Sequence, residues 1–403
     1  MIRKFSFLQY LIGAVVALSL AACGGDEPPQ PQPEPEPEPP GRTVLVYQVA
    51  NNNLGQPGTT YDRLDIEEML EAAAAGDIPA GSHLLVYNAG YRSDPVLMEV
   101  TSDGLDTILT YDRSMPSVDS RRMLAVLADM ETMRPNPQYG LVLWSHGTGW
   151  VQDGMADVLD DSRRRSFGND AGKTMNVTTL AATLERGPEL AWIYFDCCFM
   201  ASVETLYEMR HTAPTIVASP TELRVEGMPY HLNVKHFFAD GNADLLAAAR
   251  STFEYYDLGF TGSGRTCTMT VADTRFLDAL ARATAAIYAA SPVAVTAGYE
   301  PQRYENLRQS CKYFDFADYV RDLCVDAAGN PRFEGAAALM AEFDEAFARV
   351  VLYAAATPKL WNAVPLQRAT GLSTYILNKP SDADTKNYGT LSWYADVASK
   401  LHK

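Results

Sequence analysis

A chain of 403 residues with 47% hydrophobic and 21% charged residues can build a sizeable core, as one large domain or two to three of ~150 residues. Its formal net charge of −17 argues against nucleic acid or an anionic membrane surface as a partner, since both need a basic face. Six cysteines, at 23, 197, 198, 267, 311 and 324, are too few and too scattered for a disulfide framework, and the absence of CxxC and HExxH speaks against a structural zinc site.

Residues 1–22 combine Arg3 and Lys4, an apolar run and small residues just before Cys23, the pattern of a secretory signal. Leu20-Ala21-Ala22-Cys23 resembles the lipobox of bacterial lipoproteins, in which the cysteine is acylated and becomes the mature N-terminus. Acyl chains anchor by ~0.8 kcal/mol per buried CH₂, so several of them hold a protein firmly to a membrane. Residues 23–42 then read as the lipidated Cys23 and a Pro/Glu-rich spacer, extended by polyproline II preference and charge repulsion. Asp26 and Glu27 resemble surface-export signals of Bacteroidetes lipoproteins, which puts the expected location at the bacterial outer membrane or cell surface.

From Thr43 the pattern changes. Thr43–Ala50, Leu84–Asn88, Tyr139–Ser145, Ala191–Phe195 and Thr215–Ala218 are short, nearly continuous apolar runs, as in strands buried on both faces. Helical patterns alternate with them at Asp65–Ala75, Ser120–Met133, Thr178–Glu185 and Ser202–His211, and Leu97–Thr110 reads as an added hairpin. This alternation predicts an α/β sandwich with a mostly parallel sheet. After about residue 241 helix dominates, at Ala243–Tyr256, Phe276–Ala290, Tyr304–Leu323 and Gly335–Ala356, with strands expected only at Thr266–Val271 and Leu372–Ile376. Residues 43–403 are therefore expected as one domain whose last part is a helical extension packed on the α/β core.

Two of the buried runs end in reactive residues. One continues as Ser145-His146-Gly147-Thr148-Gly149-Trp150, the other as Asp196-Cys197-Cys198-Phe199-Met200-Ala201. In open α/β sheets reactive groups gather at the carboxyl ends of adjacent strands, so an imidazole and a thiol would meet if these strands are neighbours. The second run is expected to lead straight into a helix, whose dipole would favour a thiolate. A nearby His can take the thiol proton, and the Gly147 N–H can bind an oxyanion. Singly, a His or Cys beside a strand is as readily a structural core residue.

Together SHGTGW and FDCCFMASVETLYEMR resemble the two signature motifs of the clostripain family of cysteine peptidases, HGxGW and DACLMxxxE, and VYQVANNNL and VASPTELRVEGMPY are similar to that family too. The resemblance runs from about Thr43 to Asp240 and more loosely beyond. It implies a caspase-like α/β/α fold and a cysteine endopeptidase with His146 and Cys198 as the catalytic dyad, cleaving peptides or proteins after Arg or Lys. Cys197 stands where the family commonly has Ala, and strand alternation turns it away from Cys198. Asp196 matches the acid two residues before the nucleophile, and Glu226 falls where the family often shows Asp. The resemblance casts both as carboxylates for a basic side chain. The alternative is that Asp196 caps a helix and Glu226 is solvated loop.

Arg163, Arg164 and Arg165 lie between the motifs, where some relatives cut themselves, so self-cleavage is expected there unless the cluster is only solvated surface. No cofactor is implied. Some relatives depend on calcium, but nothing here resembles a calcium loop. Two other readings remain open at this point: a non-catalytic surface protein binding peptide or glycan in a peptidase-like cleft, and an amidase or transpeptidase acting on cell-wall peptides.

Overall fold

The computed structural model describes residues 41–151, 166–239, 243–305, 311–377 and 383–401. Cys23 and Arg163, Arg164 and Arg165 lie outside the described residues. Every element belongs to the unit Pro39–Lys403. The chain runs β1 (Thr43–Val49), α1 (Tyr61–Ala74), β2 (His83–Ala89), β3 (Val96–Thr101), β4 (Gly104–Thr110), α2 (Ser120–Met133) and β5 (Tyr139–Trp144). A small hairpin of β6 (Phe167–Asp170) and β7 (Lys173–Met175) leads to α3 (Val177–Leu184), β8 (Leu190–Asp196), α4 (Val203–Glu208), β9 (Thr215–Ala218), α5 (Tyr230–Phe237) and α6 (Leu245–Gly259). There follow β10 (Thr268–Asp273), α7 (Leu277–Ala290), β11 (Phe314–Asp315), α8 (Phe316–Cys324), α9 (Ala336–Val350), β12 (Val351–Ala356) and further short elements.

The apolar runs become one nine-stranded sheet, in the order β12-β10-β9-β8-β5-β1-β2-β3-β4. Pairing is parallel from β2 through β1, β5 and β8 to β9. It is antiparallel at β2–β3, β3–β4, β9–β10 and β10–β12, so only β3 and β10 run against the rest. The cause is burial on both faces. Within β1, Val44 and Val46 join a core layer with Ile66 and Met69 of α1, Val234 and Phe237 of α5 and Ala248 of α6. Leu45, Tyr47 and Val49 face the opposite layer, with Met123 and Val126 of α2, Leu180 of α3, Leu206 of α4 and Leu280 of α7. Each such side chain, fully buried, stabilises the fold by ~1.5–3 kcal/mol, which only a sheet covered on both sides can collect from consecutive residues.

The segment after 241 is helix-rich, but it also supplies β10 and β12 to the main sheet. Where Gly335–Ala356 reads as one helix, α9 stops at Val350 and Val351–Ala356 pairs with β10. Edge pairing overrides the helix preference of the alanines there. Where Tyr304–Leu323 reads as one helix, α8 begins only at Phe316, with the Asp315 side chain accepting from Asp318 N–H at 2.8 Å as N-cap. Leu372–Ile376 contributes a two-residue strand, Ser373–Thr374, paired with β11 rather than with the main sheet.

Candidate active site

β5 and β8 are parallel neighbours, with Trp144 paired to Asp196 at their carboxyl ends. His146 and Cys198 each lie two residues beyond that last pair, and both line one cleft with Leu54, Asp196 and Leu223. Gly147 shows how tightly the two loops meet. A Cβ built on it would lie 2.7 Å from the Cys198 carbonyl oxygen and 2.9 Å from the Cys197 Cβ, so any larger residue would push the loops apart.

The helix expected to begin at the cysteines does not. Phe199 takes φ +62°, the chain turns, and Phe199 and Ala201 donate their N–H groups to Thr221 and Ser219 carbonyls at 2.9 Å each. Helix α4 starts at Val203 behind its own cap, Ser202, whose hydroxyl accepts from Thr205 N–H at 3.1 Å. Cys198 therefore gains nothing from a helix dipole, and Asp196 caps no helix. Cys197 is buried with its thiol on the Leu143 carbonyl at 3.0 Å, inside the core layer. Cys198 is half-buried at the cleft, accepting from Leu223 N–H at 3.3 Å. Burial pushes its thiol up to about 12, with the Leu223 contact pulling the other way, so the resting group is a protonated thiol.

His146 is oriented by a residue that the sequence did not single out. Its Nε2 lies 2.8 Å from Asn53 Oδ1. An amide oxygen accepts, so the proton sits on Nε2 and Nδ1 is the basic nitrogen of the ring. Asn53 is delivered by a turn made rigid by its neighbour. Asn52 donates to the Val49 and Asn169 carbonyls at 2.9 and 2.7 Å, and accepts from Leu54 N–H at 2.8 Å. The sequence signals were the family-like stretch VYQVANNNL, which contains Asn53, and the Asn51-Asn52-Asn53 run after β1, as polar side chains directly after a buried strand suggest a structured turn.

Asp196 is buried at the same cleft, accepting from Met228 N–H at 3.0 Å and the Tyr230 hydroxyl at 3.2 Å. Burial pushes its carboxyl up to about 6 against those two hydrogen bonds, and the charge of Glu68 adds to the rise. Gly227, at φ +65°, leaves room for it, since a Cβ there would lie 2.8 Å from Asp196 Oδ2. Behind it is a second acid not picked out from sequence. Asp65 is buried on α1, takes a 2.6 Å hydrogen bond from the Trp144 indole, and is raised well above the carboxylate range by burial and by Asp196. Glu226 lies elsewhere: it is exposed, does not line the cleft, and pairs with Arg224 at 2.5 Å.

Both reactive loops are clamped by the C-terminal third of the chain. Tyr313 donates to the Thr148 carbonyl at 2.7 Å and stacks on Phe199 with ring centroids 4.1 Å apart. Trp150 is fully buried against Tyr375 and Tyr388. On α4, Glu204 is fully buried and accepts from Thr374, Tyr375 N–H and Tyr388. Among the described residues no three His, Cys, Asp or Glu side chains converge as a metal site.

The sequence model of the clostripain family, Peptidase_C11, matches residues 46–359. Among solved structures the chain is similar to an inactive zymogen C11 protease from Parabacteroides distasonis, at 25% identity and TM-score 0.73, covering 90% of this chain and 99% of that one. A secreted C11 cysteine protease from Bacteroides thetaiotaomicron, in complex with an irreversible peptide inhibitor, is 26% identical with TM-score 0.73, covering 88% and 98%. The secreted C11 protease iotapain of the same organism, at 21% identity and TM-score 0.74 over 89% and 99%, shares the fold. No curated protein matches the chain.

Proposed function

The chain belongs to the clostripain family of cysteine peptidases, and on that premise we propose that His146 and Cys198 are the dyad of an endopeptidase that cleaves after Arg or Lys. The observation that carries this reading is the delivery of both side chains to one cleft from adjacent strands, with Asn53 on Nε2 of the imidazole.

In the proposed reaction Nδ1 of His146 takes the Cys198 proton as the thiolate attacks the scissile carbonyl. The N–H groups of Gly147 and Cys198 hold the oxyanion. The imidazolium returns its proton to the leaving amine, and water then releases the acyl group from sulfur. A thiol held near 12 in the resting state makes the base indispensable, because almost none of it is ionised at neutral pH. Asp196 is the acid proposed to meet the basic side chain, as a buried carboxylate pairs strongly with a guanidinium that replaces its lost water.

We propose further that residues 1–22 are removed and that Cys23 carries the lipid anchor, which a Cys23→Ala variant released from membranes would support. The test of the main reading is a positional peptide library run with wild type and Cys198→Ala. Cleavage after Arg or Lys by wild type alone is expected, together with splitting of the purified wild-type chain near Arg163–Arg165. Cleavage by the Cys198→Ala variant would overturn the assignment of the nucleophile. An active wild type indifferent to Arg or Lys would overturn that of the pocket.

A further inference from the structure

The cleft at Cys198 is narrow, with only about 40 Å³ of space. A lysine or arginine side chain does not fit there without displacing something, and what lines the cleft beside the thiol is the loop Leu223-Arg224-Val225 together with Gly227. Arg224 is the cation in it. Its guanidinium pairs with Glu226 at 2.5 Å and lies 5.2 Å from the Phe260 ring centroid and 5.9 Å from that of Tyr256. Its side chain is 19% exposed, and its Nε is buried with no hydrogen-bond partner among the described residues.

A guanidinium held by a carboxylate and two ring faces is what a pocket for basic side chains offers to a ligand. Here the chain supplies the guanidinium itself. We infer that Arg224 is a specificity-determining residue: it forms part of the cleft wall, its guanidinium held beside the cleft, and must yield before a cationic substrate side chain enters, with Glu226 as the counter-ion that changes hands. This rests on the peptidase reading of the same cleft. It follows that Glu226, outside the cleft at rest, becomes available to a substrate cation once Arg224 swings away. Removing either partner then has opposite effects. Without Arg224 the cleft gains room and an unpaired acid. Without Glu226 it keeps a cation that repels the substrate's own.

The test uses the full chain as wild type, Arg224→Gln, Arg224→Lys and Glu226→Gln, assayed on two matched peptides with arginine or its neutral isostere citrulline before the scissile bond. Arg224→Gln removes the charge, keeps two of the three methylenes, and is expected to lower KM for the arginine peptide on the order of tenfold, the size of one partly screened charge interaction. The citrulline peptide should barely respond. Arg224→Lys should stay near wild type, and Glu226→Gln should raise KM for the arginine peptide. Arg224→Gln shifting both peptides alike, or neither, overturns the inference while leaving the peptidase reading intact. Calorimetry with agmatine, a bare guanidinium probe, separates the converse case. Should no variant cleave any peptide, tighter agmatine binding to Arg224→Gln than to wild type keeps the inference and ends the peptidase reading, whereas equal or absent binding ends the inference. Should Arg224→Gln fail to fold by circular dichroism, an unchanged KM in Glu226→Gln would overturn it.

Discussion

Replacing Asp196 with Asn is expected to make this protein more stable while disabling its choice of substrate. The carboxyl titrates at about 6 in the fold against an ordinary 3.8, because burial penalises the charged form. Two units at ~1.36 kcal/mol each correspond to about 3 kcal/mol, the penalty of carrying this carboxylate in the folded chain. The sign follows from linkage. Below about pH 4 the group is protonated in both folded and unfolded chains and costs nothing. Between about 4 and 6 the folded chain holds the extra proton, so stability falls as pH rises, and above 6 the full penalty applies. Asn cannot ionise, yet its amide oxygen can still accept from Met228 N–H and Tyr230, so the local hydrogen bonds survive. Asp196→Asn should therefore be more stable than wild type by up to about 3 kcal/mol at pH 8, with the gain fading by pH 4. Relief of Asp65, which Asp196 also pushes up, adds in the same direction. Urea midpoints of both proteins at pH 8 and pH 4 measure this. A gain of equal size at both values, or none at pH 8, would refute the argument that the wild-type carboxylate is buried at an energetic loss. Peptide cleavage in parallel should show kcat/KM for arginine substrates falling far more than for neutral ones.

Gly147→Ala should lower kcat/KM on the order of a hundredfold, because its Cβ would lie 2.7 Å from the Cys198 carbonyl oxygen, forcing the two loops apart and displacing the Cys198 backbone. Peptide kinetics beside circular dichroism check this, and an Ala variant with wild-type turnover would show that the loops yield without consequence. Asn53→Ala should lower kcat roughly ten- to a hundredfold with little change in KM, since it loosens the imidazole and not the substrate. Asn53→Asp should instead move the acidic limb of the pH–rate profile upward, as a carboxylate on Nε2 favours imidazolium. An unmoved limb would remove Asn53 from the role of positioning His146.

Much of this was legible in the order of residues. Runs such as Thr43–Val49 and Tyr139–Trp144 admit few readings, because consecutive apolar residues of that length are stable only where both faces of a sheet are covered. Helix α2 shows its bounds in Asp119 as cap and in the spacing of Met123, Val126, Leu127 and Met130. The two motifs could be found one at a time because each is local, a strand followed by its reactive loop. The last third was harder to read. β12 is half alanine, and nothing in Val351–Ala356 says that it pairs with Thr268–Asp273 rather than continuing α9.

What the amino-acid order determined by itself was the layered α/β architecture, the family, and which His and which Cys end buried strands. Only the tertiary structure decided that Asn53 holds the imidazole, that Asp65 stands behind Asp196, that Glu226 faces away toward Arg224, and that Cys198 sits in a turn instead of on a helix. The physical reason is separation along the chain. Local patterns of burial repeat every two to four residues and can be read directly. Asn53 and His146, however, lie 93 residues apart, and Tyr313 and Thr148 lie 165 apart. Contacts of that kind exist only once the sheet has brought the strand ends side by side.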